Sequence, residues 1–124
     1  GSATAAQLNG PLGVALDTTG ALFIADPSNH RIRKVTAGGT ISTVAGNGTG
    51  AFAGDGGQAL QASLKSPSNL LVHTDGTLWI ADRDNGSVRK VDAAGVISTV
   101  AGTGRQGGKQ HGIRHLQPDG RARG

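Results

Sequence analysis

The sequence predicts an all-β chain of two four-stranded antiparallel blades, on three observations. The first is an internal repeat: shifted by 56 positions the chain aligns with itself without a gap, and residues 11–48 match residues 67–104 at 20 of 38 positions. Such self-similarity marks a repeat architecture. The second is punctuation. Gly accounts for 22 of the 124 residues, far too many for a helical protein and suited to a chain of tight turns. The third is the acid count. All 8 acidic residues are Asp and Glu is absent; Asp suits turns, where its short side chain reaches nearby backbone amides, whereas Glu suits helices.

Each repeat unit holds four short apolar runs separated by turn signals. In residues 11–48 the strand candidates are Val14–Leu16, Ala21–Ile24, Arg31–Val35 and Ile41–Val44, joined by Asp17-Thr-Thr-Gly20, Asp26-Pro-Ser-Asn29 and Ala37-Gly38-Gly39. In residues 67–104 they are Leu70–Val72, Thr77–Ile80, Val88–Val91 and Val96–Val100, with turns at Thr74–Gly76, Asp82–Asn85 and Asp92–Gly95. Connections this short leave no room for crossover helices. Four short strands per repeat is the blade of a β-propeller. The third strand of each unit departs from period-2 alternation, because Ile32 and Val35, like Val88 and Val91, lie three apart. A bulge in that strand would bring both apolar residues to one face.

Residues 49–66 are a Gly-rich linker between blades, in which Ala59–Leu64 suits one short helical turn packed on a blade edge. Residues 1–10 align with residues 57–66 and read as the end of a preceding linker, so the chain is expected to come from a longer array. Residues 105–124 show no strand pattern; they read as an irregular basic tail, or as an altered end of the next linker.

Composition excludes several classes. With no Cys there is neither a disulfide framework nor a thiolate metal site. No apolar run approaches the roughly 18 residues a membrane span needs, and residues 1–10 carry neither the basic start nor the apolar core of a signal peptide. The net charge of +4 belongs to the tail, since residues 1–104 contain seven basic residues and seven Asp. The high pI is therefore no argument for nucleic-acid binding by the blades.

The phrases IADPSNHRIRKV, ISTVAGNG and GAFAGDGGQA resemble the NHL repeat family in its long-linker form, which is common in bacterial envelope and secreted proteins. The family's Asn-His-Leu core reads Asn29-His30-Arg31 here and Asn85-Gly86-Ser87 in the second copy. The resemblance covers residues 1–104 and implies a propeller, usually six-bladed, with an extracellular or cell-envelope location. It implies no single activity: NHL propellers bind proteins or RNA, while related propellers include lactonases and an amidating lyase.

The candidate residues are few. Asp26 with Asn29, and Asp82 with Asn85, recur at the same repeat position and are expected to be structural, each Asp capping its turn and each Asn taking a left-handed conformation. Asp55 is expected to sit in a turn, because one Asp among glycines cannot form a calcium loop. Arg31, Arg33, Lys34, Arg83, Arg89 and Lys90 form a candidate basic strip for phosphate or an acidic partner, weighed against solvated strand positions balanced by Asp. His111 and His115 in the tail, and His30 and His73 in the blades, have no visible partners. No catalytic set, metal site or cofactor motif recurs, and three aromatics, Phe23, Phe52 and Trp79, make no stacking platform for bases.

Two blades would leave two apolar faces open. The expected function is therefore an interaction scaffold without catalysis of its own, whose partners are further blades of the array, a protein, or copies of itself closing a ring head to tail. The alternatives are an RNA-binding propeller and part of a lactonase- or lyase-type enzyme. The enzyme would need metal ligands near the innermost strands, where Asp17 and His73 hold equivalent positions.

Overall fold

The structure, a computed structural model, describes residues 1–104. The readings of the tail, His111 and His115 included, lie outside the described residues. Two four-stranded antiparallel sheets form in simple sequence order. The first comprises β1 (Val14–Leu16), β2 (Leu22–Asp26), β3 (Arg31–Val35) and β4 (Ile41–Ala45); the second comprises β5 (Asn69–Val72), β6 (Leu78–Asp82), β7 (Ser87–Val91) and β8 (Ile97–Gly102). The all-β, two-blade architecture expected from the repeat is the one observed.

Local chemistry explains each turn. Between β1 and β2 the Asp17 carboxylate accepts the N–H groups of Thr19 and Ala21 at 2.8 and 3.0 Å. Gly20 closes that turn at φ +86, a conformation that side chains resist. Between β2 and β3, and again between β6 and β7, one 3₁₀ turn intervenes, Pro27–Asn29 and Arg83–Asn85.

The strand registers assign the faces. Against β2, β3 is regular: Ala25 pairs with Ile32, Ile24 with Arg33, Phe23 with Lys34 and Leu22 with Val35. Ile32 and Val35 therefore point to opposite faces, and the bulge expected in this strand is not there. The irregularity lies one strand further out. Ile32 pairs with Ala45 while Arg33 pairs with Thr43, which leaves Val44 of β4 as the extra residue. Val100 of β8 is its counterpart in the second blade. Period-2 alternation looks broken because an arginine, Arg33 in β3 and Arg89 in β7, takes a position on the same face as Val35 or Val91, not because the backbone is kinked.

One core joins the blades. Phe23, Ala25 and Ile32 from one face of the first blade pack with Leu70, Leu78 and Ile80 from the opposite face of the second. The linker closes it with Ala59, Ala62 and Leu64, all buried. The short helical turn expected over Ala59–Leu64 is a 3₁₀ turn over Ala59–Gln61. Gly13 lies so near the second blade that a Cβ there would stand 2.8 Å from the Asn69 Cα.

Candidate interaction surface

β6 ends in Asp82, whose carboxylate is buried under the inter-blade linker. Its Oδ1 accepts the Lys65 N–H at 2.7 Å, and its Oδ2 accepts the Asn85 amide at 2.7 Å and Arg89 Nη1 at 3.1 Å. Burial pushes this carboxyl up from its ordinary value of 3.8, with the Asn85, Lys65 and Arg89 hydrogen bonds opposing. Arg89 is 0% exposed, and all five of its N–H groups are donated. Nε and Nη2 reach Asp55 Oδ1 at 3.2 and 2.9 Å, Nη2 also reaches the Ala53 carbonyl at 3.1 Å, and Nη1 reaches the Ser63 carbonyl at 3.1 Å as well as Asp82. The Phe52 ring covers the guanidinium, 4.6 Å from its centroid. The second Asp55 oxygen accepts the Thr99 hydroxyl at 2.6 Å. A buried guanidinium between two carboxylates thus clamps linker residues 52–65 onto the second blade.

The first blade repeats half of this arrangement. Asp26 accepts the Asn9 N–H at 2.7 Å and the Asn29 amide at 2.9 Å. Its arginine differs: Arg33 Nη1 stands 3.9 Å from Asp26, and Arg33 Nε is buried with no hydrogen-bond partner.

These contacts correct the expected roles of the Asp–Asn pairs. Neither 3₁₀ turn is capped by its Asp side chain, because Asp26 and Asp82 face the incoming linker and bind its amides. The left-handed residue is not Asn29 or Asn85 but the one after it, His30 at φ 54 and Gly86 at φ 59. The Asn amides are occupied with the carboxylates. His30, which has no partner visible in the sequence, accepts the Ser66 N–H on Nδ1 at 3.0 Å.

The six basic residues do not line up as one strip. Neighbours on a strand point to opposite faces, so Arg33 and Lys34 diverge, as do Arg89 and Lys90. Arg89 is enclosed. Lys34 lies over the Phe23 ring and Lys90 over Trp79, at 5.4 and 5.6 Å. Arg31 lies against the backbone of Gly48. Arg83 is exposed, with Asp84 4.0 Å away. The enzyme-type pair is tied into turns as well. The Thr19 hydroxyl, followed by backbone amides, holds the Asp17 carboxyl below its ordinary value. The His73 ring sits 3.1 Å from Asp75, whose carboxyl is lowered chiefly by the Thr77 backbone N–H. Among the described residues no three His, Cys, Asp or Glu side chains gather as metal ligands, and no helix is long and apolar enough to cross a membrane.

What the blades do present is apolar sheet. On the outer face of the second blade, Leu71 is 62% exposed, and Val88 and Val100 are exposed beside it. Leu71, Trp79 and Val88 line an open apolar groove there. On the outer face of the first blade, Val14 and Leu16 are 60% and 67% exposed. Between the blades a cleft of about 350 Å³ is lined by Phe23, Lys34, Thr43, Leu78 and Asp92 among others.

Comparison with known proteins agrees with this architecture. The Teneurin NHL domain family matches residues 48–113, and the NHL repeat family matches residues 8–35. Teneurin-1 of Mus musculus is 38% identical over 91 residues, covering 63% of this chain and 3% of that protein; the chain spans a few per cent of the length of the teneurins it matches. Among solved structures, a Bacteroides thetaiotaomicron protein of unknown function shares 28% identity at a TM-score of 0.60, over 68% of this chain and 21% of that one. Virginiamycin B lyase from Staphylococcus aureus shares 16% identity at a TM-score of 0.55, over 77% of this chain and 28% of that one, a likeness of fold alone. With two β-propeller blades in one repeat register and a family match over more than half its length, the chain belongs to the NHL repeat family.

Proposed function

We propose that this chain is an interaction scaffold, two blades of an NHL propeller whose open faces take further blades of the same kind, and that the completed propeller binds a protein or ligand without catalysis by these residues. One observation carries the reading. The face of the first blade that meets the second holds Phe23 and Ile32 in the core, and the equivalent outer face of the second blade holds Trp79 and Val88. Likewise Leu70 is 8% exposed at the internal interface, while Val14, its repeat equivalent, is 60% exposed. Each outer face therefore repeats the apolar character of an inner face that already has a partner. Exposed apolar sheet on both sides of one unit favours head-to-tail association. The carboxylates, engaged in turns and in the Arg89 clamp, support a non-catalytic role. An extracellular or cell-envelope location accompanies this reading through the family resemblance. Light scattering together with far-UV circular dichroism on the purified chain tests it. A β-rich, discrete oligomer such as a trimer supports blade supply between copies, whereas a folded monomer at high concentration overturns it.

A further inference from the structure

We propose that the cleft between the two blades binds a small, single-ring aromatic carboxylate, with the Lys34 ammonium as its receptor. The cleft holds about 350 Å³, the size of a small-molecule site. Both of its walls belong to one chain. Phe23 and Lys34 come from the first blade, Leu78 and Asp92 from the second, and Ala59 and Leu60 from the linker that joins them. The site is therefore complete within residues 23–95. It needs neither a further blade nor a second copy of the chain, so it goes beyond the scaffold reading and does not depend on it.

The chemistry of the cleft is apolar with one unmatched charge. Phe23, Ala59 and Leu78 are core residues that reach its floor. Lys34 pairs with Phe23 across β2 and β3, so both side chains stand on the face turned to the second blade, with the ammonium 5.4 Å from the ring centroid. Among the described residues Lys34 enters no ion pair. The two carboxylates nearest in the argument are engaged in their own turns. Asp92 at the rim accepts the Ala94 and Val96 N–H groups on Oδ1 at 2.9 and 3.0 Å. Asp17, which feels the Lys34 charge, accepts those of Thr19 and Ala21. A cation above an apolar floor calls for an anion with an apolar body. One point charge matches a monoanion, hence a carboxylate and not a phosphate. A flat ring suits a gap between two sheet faces and can pair with Phe23 edge to face. The second blade repeats the lysine over an aromatic, with Lys90 above Trp79 at 5.6 Å, so the pairing belongs to the blade-to-blade face.

The test titrates phenylacetate into the isotope-labelled full chain and follows the backbone amide resonances. Saturable shifts centred on Phe23, Lys34, Leu78 and Asp92 are expected, with an affinity of about millimolar for so small a ligand. Acetate, which lacks the ring, and benzyl alcohol, which lacks the charge, are expected to leave these resonances nearly unmoved. K34Q should weaken phenylacetate binding about tenfold, the worth of one hydrogen bond to a charged group, and K34R should restore most of it. Lys34 is partly exposed, so both variants keep the blade, and the three-ligand comparison on the parent chain decides the matter without them. Shifts that grow linearly without saturating overturn the proposal, as does an equal response to acetate. Equal binding by hexanoate overturns the preference for a ring. Binding unchanged by K34Q would mean that Lys34 only covers the Phe23 ring. Shifts at Trp79 and Lys90 with none at Phe23 would place the ligand on the outer face and sink the cleft. None of these outcomes bears on whether copies of the chain associate, which light scattering reads separately.

Discussion

Arg89 ties the linker to the second blade, and removing it strands Asp82. A buried carboxylate left without its cation costs about 3–5 kcal/mol, so R89A is expected to lower stability by that amount, with urea unfolding as the measurement. R89K keeps the charge but replaces a five-donor fork with a point donor. It is expected to fall between R89A and the parent. D55N removes the charge from the other side of the guanidinium and should cost less, about 1–3 kcal/mol, since Asp82 remains paired; a D55N loss as large as that of R89A would refute the clamp. Acid sensitivity follows from the turn carboxylates. Asp17 and Asp75 are held below 3.8 in the folded chain. Their stabilisation is complete above that value and is lost as the pH falls through their lower folded values. Asp82 has the opposite sign: its raised carboxyl makes the ionised form unfavourable, so its contribution improves as the pH falls through its folded value towards 3.8. The D17N/D75N double variant should therefore lose less stability than the parent between about pH 4 and pH 2, and an unchanged acid slope would show that those hydrogen bonds contribute nothing.

The inter-blade linker is the element that turns two sheets into one body, and Gly13 sets how closely they approach. A methyl group there meets the Asn69 Cα and the Ser68 carbonyl, 2.8 and 2.9 Å away. Backbone cannot yield as a side chain would, so G13A is expected to cost about 1–3 kcal/mol; a neutral G13A in thermal melts would mean the blades are not held at this distance. The strands were legible in the sequence because their apolar runs and Gly-closed turns are local signals, repeated at one spacing. Turn residues such as Asp17 and Gly20 fall where the pattern places them. The clamp was not legible. Asp55 lies 34 positions from Arg89 and sits among glycines, so it resembles any turn residue until the linker is folded back. The available clue was the recurrence of Arg33 and Arg89 at a strand position where the alternation calls for a covered residue. A recurring arginine there reads equally well as a solvated strip until a partner is located. The bulge lies in β4 and not in β3 for a related reason: the spacing of Ile32 and Val35 implies a kink only if every covered position of the strand is apolar, and the recurring arginine breaks that condition.

At the scale of the whole molecule, the two blades form a unit with a direction. The inner interface joins the Phe23–Ala25–Ile32 face of one blade to the Leu70–Leu78–Ile80 face of the next. The outer faces are the unmatched copies of those two surfaces, so association should be heterologous, with the Leu71 face of one chain on the Val14 face of another. That geometry makes a complementation prediction. L71D places a charge on the donor face and V14D places one on the acceptor face, both at exposed positions, so neither substitution should unfold the blade. Each variant alone is expected to be monomeric in sedimentation, because every head-to-tail contact then has one charged side. Mixed in equal amounts, the intact Leu71 face of the V14D chain can meet the intact Val14 face of the L71D chain. The expected product is a one-to-one dimer that grows no further, since its two remaining ends are both blocked. An isologous interface would behave differently: one variant would still pair with itself, and mixing would add nothing. The finite mixed dimer is the outcome that only a directional, blade-to-blade surface produces.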